Sequence, residues 1–221
     1  MNCDYLFKII VVGESGVGKS NLMLRYVNNK FGSNYEVTIG VEFGTKVLKF
    51  NNQTVKLNIW DTAGQESFRS IVRSYYKEAT IVLLVYDITS MNSFYSLQKW
   101  LDDVDGMTHN PYMMLVGNKI DLANKRQVSV EQGKLFALDR GMSFIETSAL
   151  NGTGVDDAFF IPTSSVFKKI LNGKIDVANP SYGIKKIGKT ITSDNTVDLN
   201  KPRDQSDVSD GKSSKSRCCL K

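Results

Sequence analysis

The hydrophobic positions fall into short blocks of two kinds. Lys8–Val12 closes on an unbroken apolar run, Thr80–Tyr86 (TIVLLVY) is apolar almost throughout, and Tyr112–Val116 and Ser143–Thr147 are shorter blocks. Such runs suit strands covered on both faces, as in a parallel sheet. Val41–Phe50 and Val55–Trp60 instead alternate apolar and polar residues around Asn51-Asn52-Gln53, which predicts a two-stranded hairpin. Helical spacing fills the gaps. A first helix is expected to end near Asn28, and a second to run from Ser93 through Phe94, Leu97, Trp100, Leu101 and Val104 to the Asn110-Pro111 break. Ser129 with Gln132 three residues on is a capping box that opens a third helix to about Arg140. The last runs from Val155 to Leu171 and is closed by Asn172-Gly173, with a kink expected at Pro162. Strands taking turns with helices predict an α/β fold, a doubly wound, mostly parallel sheet of six strands.

Polar clusters follow directly on the strands, at residues 13–20, 61–66, 118–121 and 148–150. In a mostly parallel sheet those strand ends share one edge, where open α/β sheets bind ligands. Segments far apart in sequence are therefore expected to meet in one crevice. The first cluster, Gly13-Glu14-Ser15-Gly16-Val17-Gly18-Lys19-Ser20, has the form GxxxxGKS between a strand and a helix and reads as a phosphate-binding loop. Its glycines allow the backbone to turn successive N–H groups toward one anion, and the helix that continues through Asn21 adds its positive end. Lys19 is expected to reach the terminal phosphates and the Ser20 hydroxyl to ligate Mg²⁺. The competing reading is a tight glycine-rich turn without a ligand.

Asn118-Lys119-Ile120-Asp121 reads as a guanine reader. A carboxylate at Asp121 can accept from both N1–H and the exocyclic amine of guanine, and adenine would leave it buried and unpaired. The Lys119 stem is expected to cover one face of the base and Phe31 the other side. Within Ser148-Ala149-Leu150, the Ala149 N–H is expected near guanine O6. The cluster at 61–66 supplies the rest: Asp61 to hold Mg²⁺ through water, the Gly64 N–H to meet a γ-phosphate, and Gln65 to orient an attacking water. An amide barely accepts a proton, so intrinsic turnover is expected to be slow. Thr38, in the polar loop Phe31–Gly40, is expected as the second hydroxyl on Mg²⁺.

Charge and cysteine content narrow the setting. Of the formal +5, nearly all lies after residue 182, where nine basic and five acidic side chains stand against 19 and 18 in the preceding residues. A near-neutral domain with a basic tail argues against nucleic-acid binding and for weak attraction to an anionic membrane surface. A nucleotide-binding domain over 1–174 and a flexible tail over 175–221 are expected; the tail has no aromatic residue after Tyr182. No apolar run reaches the ~18 residues of a membrane span, and no signal peptide is evident, so a cytoplasmic setting is expected. The single histidine, His109, argues against His-based nucleophilic catalysis.

Taken together, these motifs resemble the Ras-like small GTPases. Ile39-Gly40-Val41-Glu42-Phe43, Lys56-Leu57-Asn58-Ile59-Trp60, WDTAGQE (60–66) and LVYDIT (84–89) are similar to the Rab branch. Tyr5-Leu6-Phe7-Lys8, Gln65-Glu66-Ser67-Phe68-Arg69-Ser70 and Tyr182-Gly183-Ile184-Lys185 resemble the Rab subgroup of ER-to-Golgi traffic. The resemblance implies a GTP/GDP switch that hydrolyses GTP in vesicle transport. It implies an exchange factor, an activating protein, a GDP-dissociation inhibitor and a prenyltransferase escort as partners. Effectors would read an aromatic patch of Phe43, Trp60 and Tyr75. Cys218 and Cys219 would carry geranylgeranyl chains, holding the protein on the cytoplasmic face of ER/Golgi or endosomal membranes, with a cytosolic pool. One departure concerns Tyr75-Tyr76-Lys77-Glu78-Ala79, where Glu78 stands at the family's glycine. Two other classes compete: a P-loop kinase or ATPase, and a scaffold that binds GTP without hydrolysing it.

Overall fold

The structure, a computed structural model, describes residues 3–33, 37–50 and 52–187. Strand β1 (Tyr5–Val12) leads through the glycine-rich loop into helix α1 (Lys19–Asn28). Strands β2 (Val41–Phe50) and β3 (Gln53–Thr62) form the expected antiparallel hairpin. A 3₁₀ turn (Glu66–Phe68) and the short helix α2 (Arg69–Arg73) lead to β4 (Ile81–Asp87), which is buried at every position, as its continuous apolar run predicts. Then come α3 (Met91–Tyr95), α4 (Leu97–Val104), β5 (Tyr112–Asn118), a 3₁₀ segment (Ile120–Lys125), α5 (Val130–Asp139), β6 (Ser143–Thr147) and α6 (Val155–Leu171).

The sheet order is β2-β3-β1-β4-β5-β6, with β3, β1, β4, β5 and β6 mutually parallel. The carboxyl ends of these strands, at Val12, Thr62, Asp87, Asn118 and Thr147, therefore lie on one edge. Apolar side chains of the two sheet faces form separate clusters. Ile9, Val11, Leu83 and Phe159 belong to one, and Ile10, Val82, Leu84 and Trp100 to the other. The Ser129–Gln132 capping box forms with both of its reciprocal hydrogen bonds.

Two expectations are corrected. The helix expected from Ser93 to the Asn110-Pro111 break is two helices, begins at Met91 and stops at Val104. Serine hydroxyls bond back to backbone at the joint (Ser93 Oγ to Ser90 O at 2.8 Å, Ser96 Oγ to Ser93 O at 3.0 Å), in competition with regular helix. α6 continues as helix through the buried Pro162, as the sequence predicts, and the Thr163 hydroxyl donates to Phe159 O at 2.6 Å in the turn around it. Residues 175–187, expected in the tail, fold back onto the domain. A 3₁₀ turn at Pro180–Tyr182 leads to a seventh strand, β7 (Ile184–Lys186), antiparallel to the start of β1, with Ile184 buried. The Thr80 hydroxyl donates to Gly183 O at 3.0 Å and fixes that return.

Glu78 takes a left-handed backbone conformation, φ +59°. A glycine would adopt it without strain, which explains why the family's residue here is glycine.

Candidate guanine-nucleotide site

The four polar clusters meet at the carboxyl edge of the sheet around a cavity of about 480 Å³. Its phosphate end is lined by Ser15, Gly16, Gly18, Lys19, Ser20 and Asn21. Gly18 caps α1 with φ +96° and no side-chain cap, so the first N–H groups of the helix remain for an anion. A Cβ at Gly18 would lie 2.5 Å from Asn118 Nδ2, so the close approach of loop and base segment requires glycine. The Lys19 ammonium is buried and donates to Gly13 O and Glu14 O, each at 2.8 Å. Burial pulls its pKa down to about 8, against the pull of Asp61 and Glu14. An anionic phosphate would restore the charged form.

Ser20 Oγ lies 2.5 Å from Asp61 Oδ2 and 2.8 Å from Thr38 Oγ1. Asp61 is fully buried, its Oδ1 has no partner among the described residues, and desolvation raises its pKa to about 6 despite Lys19 nearby. A buried orphan carboxylate oxygen beside two hydroxyls is a hard-oxygen set that fits Mg²⁺, with water and phosphate completing the shell. The expected metal residues Ser20, Thr38 and Asp61 thus come together.

Gly64 closes the cavity from the β3 side. A Cβ there would meet Ser15 N at 2.4 Å, so its backbone lies directly on the phosphate loop. Gln65 lies outside the cavity, half-buried, and its side chain has no hydrogen-bond partner among the described residues.

The base end is braced almost completely by protein. Asn118 Nδ2 donates to Val17 O at 2.9 Å, while its Oδ1 accepts from Thr147 Oγ1 at 3.1 Å and Ala149 N at 3.3 Å. In this arrangement Asn118 ties three segments together, and the Ala149 N–H expected at guanine O6 is shared with that amide. Lys119 spans the site, pairing with Asp87 Oδ2 at 2.8 Å and donating to Gly16 O at 2.7 Å. Asp121 Oδ1 accepts from Ser148 Oγ at 2.5 Å, and its other oxygen has no partner among the described residues. Asp121, Ala149 and Leu150 line the cavity, with Phe31 at its rim, 39% exposed. Val17 and Ser148 are buried behind it rather than lining it. The Asn21 amide holds the Phe31 loop, accepting from Gly32 N at 2.8 Å and donating to Gly32 O at 3.3 Å.

Two residues escape the sequence reading. Asp87 ends β4 at the same edge and also accepts from Thr89 N and Oγ1, so the strand-end rule that picked the other clusters reaches it too. Arg25 carries no local signal. From α1 it donates Nε to Ala149 O at 2.9 Å and Nη2 to Leu150 O at 2.6 Å, clamping the base loop from behind.

Phe43, Trp60 and Tyr75 form a continuous aromatic contact, with ring centroids 4.8 and 5.3 Å apart, and Phe43 is half-exposed. Residues 8–168 match the family model of the Ras family, whose members bind GTP or GDP with Mg²⁺, hydrolyse GTP, and work with exchange factors, activating proteins and effectors. That match sets aside the kinase or ATPase alternative: the chain belongs to the Ras family of small GTPases.

Proposed function

We propose that this protein is a Rab-type switch that binds and hydrolyses GTP and directs vesicle transport between ER and Golgi from the cytoplasmic face of the membrane. The observation that carries the reading is the aromatic contact Phe43–Trp60–Tyr75. It joins β2, β3 and the segment after α2, and those elements flank Thr38 and Gly64. A partner bound there would sense the positions of both nucleotide loops. The Rab-like lines IGVEF (39–43) and WDTAGQE (60–66) support it.

In this reading Lys19 and the α1 N-terminus bind the phosphates, Asp121 selects guanine, and the Lys119 stem covers the base. Ser20, Thr38 and Asp61 would hold Mg²⁺, which would supply positive charge at the phosphate oxygens. The Gly64 N–H donates to the γ-phosphate when it is present, and Gln65 orients the water. An amide barely accepts a proton, so hydrolysis is slow until an activating partner completes the site and raises the rate by up to about 10⁵-fold. Loss of the γ-phosphate releases the loops around Thr38 and Gly64.

No helix among the described residues is long and apolar enough to cross a membrane. Attachment is assigned to Cys218 and Cys219, which lie outside the described residues. Two prenyl chains anchor stably where one does so only marginally. A GDP-dissociation inhibitor and a prenyltransferase escort are the partners this implies. The test is fractionation of cells carrying tagged wild type, the double Cys218→Ser/Cys219→Ser variant and Gln65→Leu. The double variant is expected in the cytosol with nucleotide binding intact, and Gln65→Leu on membranes with GTP retained. A double variant that still pellets with membranes refutes the lipid anchor, and Gln65→Leu carrying as little GTP as wild type refutes the hydrolytic switch.

A further inference from the structure

The segment after Gln65 is held to the body of the protein by charge as well as by apolar packing, Val72 being buried in the core and Phe68 packed against it. In the 3₁₀ turn Glu66–Phe68 no residue is buried, and in α2 only Val72 is. The polar anchor is α4. Asp103, 3% exposed, accepts from Arg69 Nε at 2.5 Å and Nη2 at 2.6 Å, a two-pronged pairing, and Arg73 Nε lies 3.8 Å from the same carboxylate. One turn earlier on α4, Lys99 pairs with Glu66, the residue next to Gln65. A buried carboxylate left without its guanidinium would be strongly disfavoured, so Arg69 is bound tightly to this position. On the other side Gly64 rests on the phosphate loop. Gln65 is therefore suspended between two fixed points, Gly64 and the Arg69–Asp103 pair four residues on.

We propose that Asp103 is a positioning residue for GTP hydrolysis: by holding Arg69 it restricts the path of the chain that carries Gln65 toward the attacking water. The proposal rests on the reading that Gln65 orients that water. Asp103 touches no part of the nucleotide cavity. Its removal is therefore expected to change turnover and to leave the affinity for GDP alone.

The experiment measures single-turnover GTP hydrolysis and GDP dissociation for Asp103→Asn, Arg69→Gln, the double variant, Asp103→Glu and Gln65→Leu. Either single change is expected to slow hydrolysis roughly 10- to 100-fold, the size of effect that a misplaced catalytic group produces, with GDP dissociation as in wild type. The double variant is expected to be no slower than either single one, because both remove the same contact. Asp103→Glu, which keeps the charge, is expected to recover part of the rate. Arg69→Gln strands the buried Asp103 carboxylate, whereas Asp103→Asn and the double variant leave no buried charge unpaired, so those two read the loss of the contact without that penalty. Hydrolysis at the wild-type rate in both single variants overturns the proposal, as does a double variant whose losses multiply. Faster GDP release in step with the loss of hydrolysis also overturns it, since that marks a general loosening of the fold. If Gln65→Leu is inactive while Asp103→Asn hydrolyses normally, this proposal alone fails. If Gln65→Leu hydrolyses as wild type, the reading of Gln65 fails first.

Discussion

Arg25 offers the clearest test of how the base loop is held. Its guanidinium donates to the carbonyls of Ala149 and Leu150 and, at 3.1–3.2 Å, to Asn29 O and Oδ1, so one side chain ties the end of α1 to the loop beneath the base. In Arg25→Met the apolar stem remains and the donors are lost. Hydrogen bonds from a charged donor contribute roughly 1.5–3 kcal/mol each, and with the guanidinium half-exposed the pair to the loop is worth about 2 kcal/mol. Binding would then have to order a loop that is held in advance in the wild type. At ~1.4 kcal/mol per decade, that corresponds to about a 30-fold weaker grip on GDP, read chiefly as faster dissociation. Arg25→Lys, a single charged point on a flexible stem, reaches one carbonyl at a time and should fall between the two. The assay is stopped-flow release of a fluorescent GDP analogue into excess GTP, with thermal melting of the GDP-bound protein in parallel. Unchanged release from Arg25→Met alongside a lower melting temperature would refute the reasoning, because the contacts would then support the fold and not the site.

Other outcomes follow from single contacts. Asp121→Asn exchanges an acceptor-only group for one that can donate, so preference should move from guanine toward xanthine nucleotides; competition binding of GDP against XDP checks it. Glu78→Gly relieves a left-handed residue worth roughly 1–2 kcal/mol at a glycine entropy cost of ~0.5–1 kcal/mol, a net gain of about 0.5–1 kcal/mol. Calorimetry should show a melting temperature higher by about 1–4 °C. A chain ending at residue 174 loses β7 and with it the burial of Ile184, about 1.5–3 kcal/mol on that side chain alone, whereas a chain ending at 187 keeps it. Denaturant titration of the two should place the shorter one measurably lower.

The nucleotide site was legible because its parts are local. Each motif follows a strand whose composition announces it, and a parallel sheet brings those strand ends to one edge. The phosphate loop, Asp61, the 118–121 segment and the 148–150 loop all stand where that rule puts them. What stayed hidden depends on pairs distant in sequence. Arg25 and the carbonyls it clamps lie 124 and 125 positions apart, and Arg69 and Asp103 34. Neither pair leaves a periodicity. β7 is three residues long with lysines at two of them, too short for alternation to register, and its place is set by pairing with β1 and by Thr80. The joint in the α3–α4 region turned on serines bonding backward, a choice that apolar spacing does not encode.

The two ends of the cavity differ in how far the chain alone has organised them. At the base end Asn118, Lys119, Asp121 and the Ala149-Leu150 carbonyls all have protein partners, so a guanine meets groups already in place and little ordering cost remains for binding to cover. At the phosphate end Lys19 is occupied with loop carbonyls, Asp61 keeps a buried oxygen without a partner among the described residues, and Gln65 lies outside the cavity. Those groups acquire their proper partners only from phosphate, metal and water. On the proposed reading, base selection is thus built into the resting fold, whereas hydrolysis depends on where Gln65 is carried. On that reading, a partner that grips the segment after Gly64 is expected to act on the rate and to leave the choice of base untouched.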